Sequence, residues 1–175
     1  FNSVCFVYRD SLYVFGGTDN SSNMNEIVRY DLSTQNSGEW TTIAKVNEAN
    51  QRGGVAFVVE DKVYAGLGEK SNGIRNGFYV SSDSLTKWEL IPSIPAQLGV
   101  ISSGVYDEQK KSFFMIDNDG KIWEYNLTTE QWTSRSLWIR MKNYHMFMLD
   151  GSIYILGQDI YQKNKFTVYN PIWDN

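Results

Sequence analysis

Apolar residues along this chain come in short runs, each cut off by a polar turn or a glycine. The runs read in order as SVCFVY, SLYVFG, EIVRYD and EWTTIA; then GGVAFVVE, KVYAGLG, NGFYVS and KWELIP; then GVISSGVY, KSFFMID, KIWEYN and QWTSRSL; and last YHMFML, SIYILGQ and KFTVYN. Each has the length and the β-branched or aromatic content of a strand. No window holds apolar residues at helical spacing for three turns. Tight turns at Arg9–Asp10, Glu60–Asp61 and Asp150–Gly151 join the first two strands of a group. The first strands are apolar almost throughout, the pattern of strands covered on both faces.

The groups are copies of one unit. DSLYVFGG (10–17) is echoed by DKVYAGLG (61–68), by DGSIYILG (150–157) and, more weakly, by KKSFFMIDNDG, in which Asp117 stands in for a glycine. The aromatics Tyr13, Tyr64, Phe114 and Tyr154 are 51, 50 and 40 residues apart; Trp40, Trp88, Trp132 and Trp173 follow at 48, 44 and 41. Two markers with matching periods divide the chain into four blades at about 1–46, 47–95, 96–139 and 140–175. The glycines have a physical reason: without a Cβ the chain leaves its strand at positive φ and passes close to a neighbour. Each tryptophan is expected to open the outer strand and cover the gap to the next blade.

Composition narrows the class. The 42% hydrophobic share supports a packed core, and the 15% aromatic share suits stacked sheets. Net charge is −4 and the basic residues are scattered, which argues against a nucleic-acid partner. No stretch reaches the ~18 apolar residues of a membrane-spanning helix. The chain opens in a strand and without Met, which reads as a processed or excised piece. A secreted, periplasmic or cell-surface location is expected over a cytoplasmic one. The single cysteine, Cys5, excludes an intrachain disulfide and is expected to be a small buried core residue.

These features resemble the kelch repeat family of β-propellers. The likeness rests on Gly16–Gly17 at a strand end, on Tyr30, Tyr125 and Tyr169, and on Trp40, Trp132 and Trp173. Tyr125 to Trp132 has the family's usual gap of six residues. QRGG and MKNYH look like the family's basic residue ahead of the innermost strand. The full glycine pair occurs only in the first copy, and Tyr30–Trp40 is stretched by an insertion. SSDSLTKW (81–88) resembles the Asp-box of sialidases and related propellers, with Leu85 where glycine is expected and Asp83 as its turn-forming carboxylate. Trp173–Asp174 is the sole Trp–Asp pair, so a WD-type propeller fits poorly. The resemblance implies an all-β fold of four-stranded antiparallel blades. Kelch rings close with six or seven blades, so about four blades imply part of a larger propeller. Missing blades or a second chain would complete the ring, and an open piece would expose two apolar blade faces. A four-bladed ring of the hemopexin type usually needs a closing disulfide that one cysteine cannot supply.

Candidate chemistry is sparse. His145 is the only histidine, expected to be structural within its inner strand, so neither a zinc site nor the copper site of a galactose oxidase-like propeller can be built from this chain. No metal or cofactor is expected, and DNDGKIWE (117–124) reads as a hairpin turn rather than a calcium loop. The polar, Asn-rich loops TDNSSNMN (18–25), EKSNGIRN (69–76) and QDIYQKNK (158–165) are expected to share one face with the connections between blades. Loops on a rigid scaffold are where binding residues concentrate. The candidates are Arg52, Asn72, Arg75, Asn76, Arg140, Gln158 and Tyr161, whose amides, guanidinium groups and ring suit sugar hydroxyls or peptide backbone. The expected function is noncatalytic binding of a protein or carbohydrate; the alternative is part of a propeller enzyme, sialidase-like or oxidase-like.

Overall fold

The computed structural model describes residues 1–19, 21–33, 38–70, 73–74, 77–82, 84–95, 101, 103–117, 119–139 and 141–171. The expectations for Asn72, Arg75, Asn76, Asp83, Asn118, Arg140 and Trp173 fall outside these described residues. The chain divides into two compact units, Phe1–Val100 and Ile101–Asn175. Among the described residues, strands form four antiparallel sheets and a two-stranded ribbon, an all-β fold of the β-propeller class with sheets as blades.

In the first unit, β1 (Val4–Tyr8), β2 (Ser11–Phe15), β3 (Glu26–Asp31) and β4 (Trp40–Lys45) pair in chain order as sheet 1. A 3₁₀ turn, Asn47–Ala49, leads to sheet 2: β5 (Val55–Val59), β6 (Lys62–Gly66), β9 (Phe78–Ser82) and β10 (Glu89–Leu90). Between β6 and β9, β7 (Glu69–Lys70) and β8 (Gly73–Ile74) form a ribbon inside a stretch that reads as loop from sequence. In the second unit, β11 (Gly104–Asp107), β12 (Ser112–Ile116), β13 (Lys121–Asn126) and β14 (Gln131–Trp138) make sheet 3. Sheet 4 holds β15 (Lys142–Leu149), β16 (Ser152–Gln158) and β17 (Asn164–Tyr169).

Within each unit the two sheets meet along their first strands, β1 beside β5 and β11 beside β15. Tyr8 Oη donates to the Asp61 carbonyl at 2.9 Å, and the Met146 N–H to Ser103 Oγ at 2.8 Å. One packing rule serves both units. Sheet 1 turns Val4, Phe6, Tyr13, Phe15 and Ile27 onto Val63, Ala65 and Leu85 of sheet 2. Sheet 3 turns Val105, Phe114, Ile116 and Ile122 onto Tyr144, Met146, Ile153, Ile155 and Tyr169 of sheet 4. We call the first kind of face forward and the second rear. Burying such side chains supplies about 1.5–3 kcal/mol each, so these two contacts hold the blades together.

Three expectations need correction. Cys5 is exposed. β1 alternates strictly, with Val4, Phe6 and Tyr8 buried on the forward face, while Cys5 and Val7 look out from the rear face. A first strand is covered on both faces only where a blade lies on each side, and the rear face of sheet 1 is open, with Val7 at 57% exposure. The tryptophans also differ from one another. Among the described residues Trp88 bridges two blades, meeting Phe15 edge-on at 5.1 Å, and it precedes β10 rather than opening it. Trp40 opens β4 but is 53% exposed, and both it and half-buried Trp132 pack on the tyrosine opposite, Tyr30 at 5.4 Å and Tyr125 at 4.9 Å. Lastly, Gly157 marks no strand exit: β16 runs through it to Gln158, pairing it with Lys165.

Gly16 behaves as the repeat requires. Its φ is +64°, and a Cβ there would lie 2.4 Å from the Ala49 carbonyl oxygen and 2.6 Å from that of Gln51. The chain thus leaves β2 pressed against the connection to the next blade.

Candidate functional site

That close passage shapes a polar cleft on the loop face of the first unit. The Gly17 N–H donates to the Gln51 carbonyl at 2.8 Å, tying the start of the β2–β3 loop to the connection between blades. Beyond it Thr18 and Asn23 pair across the loop. Asp19 closes the tip: its Oδ1 accepts the Ser21 N–H at 3.0 Å, the Ser21 hydroxyl at 2.8 Å and the Ser22 N–H at 3.0 Å. Those donors, the Ser21 hydroxyl first, hold the carboxyl down at about 2 against an ordinary 3.8.

The opposite wall comes from the connection and the ribbon. Arg52 and Glu69 exchange both backbone hydrogen bonds at 2.9 Å, so the connection is bridged to β7 at this one residue. Their side chains repeat the pairing, Arg52 Nε and Nη2 donating to Glu69 Oε2 at 3.0 and 2.8 Å. Asn23 Nδ2 reaches across to the Glu69 carbonyl at 3.0 Å, and Lys70 Nζ donates to the Asn47 carbonyl at 2.9 Å. Behind the wall Gln51 is 1% exposed, its Oε1 accepting the Gly68 N–H at 2.9 Å. The cleft measures about 230 Å³ and is lined by Thr18, Ser21, Ser22, Asn23, Arg52, Glu69 and Lys70.

A second concavity, about 560 Å³, lies in the second unit on the forward face of sheet 4. His145, Gln158, Asn143 and Asn164 line its polar end, and Leu156 and Phe166 its apolar end. Asn143 Nδ2 donates to Gln158 Oε1 at 3.3 Å. His145 is therefore exposed in a groove, contrary to the expected structural role within its strand.

Of the candidates read from sequence, Arg52 sits in the cleft as half of an ion pair and Gln158 in the groove. Tyr161 is 75% exposed in the β16–β17 turn, its N–H donating to Asp159 Oδ1 at 2.8 Å, and lines neither. Sequence reasoning missed Thr18, Ser21, Ser22, Asn23, Glu69 and Lys70, although all lie in the loops it singled out. The available signal was DNSS, an aspartate two and three residues ahead of serines, which announces a closed turn. Among the described residues no group of three or more His, Cys, Asp and Glu side chains is placed to hold a metal ion.

The described residues 81–82 and 84–88, from the stretch that resembles an Asp-box, make a hydrogen-bonded turn. Ser81 Oγ donates to the Lys87 carbonyl at 2.6 Å and Trp88 Nε1 to the Leu85 carbonyl at 3.0 Å. Leu85 carries φ +57° and is fully buried, so a leucine accepts the left-handed backbone for which the motif uses glycine. Asn126 likewise has a structural use: its Oδ1 accepts the Thr128 and Thr129 N–H groups, both at 2.9 Å.

Comparison with known proteins agrees with this architecture. Residues 1–47 match the family model described as Kelch motif, which is the copy with the full glycine pair. No curated protein matches the chain. Among solved structures 344 chains match. One is the "Structure of YjhT", with a TM-score of 0.67 at 10% identity, covering 95% of this chain and 64% of that one. At this identity the likeness shows the fold alone, and the present chain spans under two thirds of that structure's length.

Proposed function

We propose that the chain is a noncatalytic kelch-like binding module that takes a protein or glycan ligand on its loop face, in the cleft between the β2–β3 loop and the β7–β8 ribbon. The observation that carries this reading is that the cleft is already built. Asn23, Arg52, Glu69 and Lys70 are each held by hydrogen bonds to the opposite or adjoining segment. A ligand meeting such a wall spends little of its binding energy on ordering loops. The chemistry is hydroxyl, amide, a closed Arg52–Glu69 ion pair and the Lys70 ammonium, so the lining carries one net positive charge and suits a polar ligand rich in acceptor oxygens.

Size narrows the mode. At about 230 Å³ the cleft is below the ~300–1,000 Å³ usual for small-molecule sites. It suits one sugar residue or one side chain of a longer ligand that continues over the surface. The test is a glycan array and a displayed-peptide library probed with the protein and with Asn23→Leu and Ser22→Leu. Binding that weakens about tenfold or more in both variants, and is unchanged by Glu130→Ala in the β13–β14 turn of the other unit, supports the proposal. A retained ligand indifferent to both cleft changes, or no ligand in either collection, overturns it.

A further inference from the structure

The repeat lets the connections that lead into sheets 2 and 4 be compared residue by residue. Val55 pairs with Gly66, and His145 with Leu156, each exactly 90 residues further on. Gln51 and Met141 are then the same position, each four residues ahead of its pair. The backbone agrees: both donate their N–H two residues back, to the Ala49 carbonyl at 2.7 Å and the Ile139 carbonyl at 3.0 Å. Two residues on, Gly53 and Asn143 are both left-handed, at φ +66° and +50°. Both residues are buried, Gln51 at 1% exposure and Met141 at 9%. One copy thus keeps an amide where the other has an apolar side chain of similar length.

The strands give the reason. β16 runs on through Gly157, and its ladder with β17 continues to the pair Gln158–Asn164. β6 stops at Gly66, and Leu67, at φ +63°, turns the chain out of the ladder. The Gly68 N–H that follows is buried, and a buried donor without an acceptor costs about 1–3 kcal/mol. Gln51 Oε1 accepts it at 2.9 Å. The next residue along, Glu69, then meets Arg52, the residue after Gln51. The Gln51 carbonyl also accepts the Gly17 N–H at 2.8 Å, so one buried residue holds the base of both cleft walls. Its Nε2 meets no acceptor among the described residues, so the amide is kept for its oxygen.

We propose that Gln51 is a positioning residue for the cleft: its carboxamide oxygen bridges the break after β6 and holds Glu69 and Lys70 in the wall opposite the β2–β3 loop. This role rests on the reading of the cleft as the ligand site. A ligand finds that wall in place only while the bond to Gly68 holds.

Amide hydrogen exchange followed by NMR tests the role without a ligand. It compares the protein with Gln51→Met, the side chain that the repeat itself uses, and with Gln51→Glu, which keeps an acceptor oxygen. In Gln51→Met the Gly68 and Glu69 amides should exchange about tenfold faster or more, relative to the amides of β5 and β6 in the same variant. Gln51→Glu should keep most of that protection. A ligand recovered from the glycan array or the peptide library should bind Gln51→Met about tenfold more weakly. Unchanged exchange at Gly68 and Glu69 overturns the proposal. So does acceleration shared equally by β5 and β6, which would mark a general loss of stability. Retained binding in Gln51→Met of a ligand that Asn23→Leu has lost overturns it as well. Finding no ligand at all strikes the cleft as a site, and the exchange rates still decide whether Gln51 holds its wall.

Discussion

The Trp123 indole N–H donates to Asp117 Oδ2 at 2.8 Å across the turn between β12 and β13. The other carboxylate oxygen accepts the Asp119 and Lys121 N–H groups at 3.0 and 2.9 Å. Three donors thus converge on one side chain that is 6% exposed. Asp117→Ala orphans the buried indole N–H and removes the acceptor of two part-buried N–H groups, and should cost about 3 kcal/mol by chemical denaturation. Asp117→Asn keeps the volume and part of the acceptor capacity and should cost less. Equal loss in the two variants would mean that packing, not the hydrogen bonds, holds the turn.

Tyr144 lies against the same turn, its hydroxyl donating to the Ile116 carbonyl. Burial first, and then the negative charge of Asp117, raise its pKa well above the ordinary 10. A phenol whose folded pKa is raised contributes stability that is complete below the unfolded pKa of 10 and is lost as pH rises above it. Tyr144→Phe should therefore flatten the alkaline decline of stability beyond pH 10. Asp117→Asn should lower the Tyr144 pKa without returning it to 10, because burial remains. NMR titration of ring-labelled tyrosine checks both, and a Tyr144 midpoint unmoved by Asp117→Asn would discount the charge.

Gly16 and Gly151 separate two reasons for a glycine. Both have positive φ, +64° and +71°, but a Cβ at Gly151 would meet nothing within 4 Å, whereas at Gly16 it would strike two backbone carbonyls. Gly151→Ala should cost about 1 kcal/mol, the left-handed backbone alone. Gly16→Ala adds a backbone collision and should cost about 3 kcal/mol or more, moving the connection that carries Arg52. Similar melting temperatures for the two variants would remove the crowding argument.

The same step of the repeat shows what the sequence could disclose. The Gly16 N–H donates to the Glu26 carbonyl, the Leu67 N–H to that of Gly77, and the Asp117 N–H to that of Lys121. One backbone bond recurs under three different side chains, with Leu67 at φ +63° and fully buried where the first copy has glycine. Strand alternation, hairpin turns and the repeat period are local and were legible; so was the copy carrying both glycines. The face on which Cys5 lies was legible too, but whether that face is covered depends on a neighbouring blade. The cleft depends on Arg52 meeting Glu69, a non-local register that residue type does not encode. Residue type favoured arginines and asparagines, and so passed over the serines and the ion-pair partner.

Asp19 offers an acid-side test of the cleft. Its carboxyl is held at about 2 by the Ser21 hydroxyl and then the Ser22 and Ser21 N–H groups. A depressed folded pKa gives stability that is present above the unfolded 3.8 and lost as pH falls through the folded value of about 2. The loop should thus stay closed at pH 4 and loosen between roughly pH 4 and 2, a window that Asp19→Ala removes. Carboxyl-carbon NMR gives the midpoint directly, and a value at 3.8 would show that the turn is open in solution.

The tryptophans supply the last comparison, because one sequence marker has three environments. Trp88 packs against the core shared by sheets 1 and 2, and its indole N–H is bonded at Leu85. Trp132 is half-buried on Tyr125, and Trp40 is 53% exposed on Tyr30. If the marker alone set the energy, the three alanine variants would lose equal stability. If burial sets it, Trp88→Ala should cost about 3 kcal/mol, Trp132→Ala about 2 and Trp40→Ala about 1. Urea denaturation of the three proteins gives the order. Trp40→Ala as damaging as Trp88→Ala would mean that the rear face of sheet 1 is covered in solution, with that indole part of the contact.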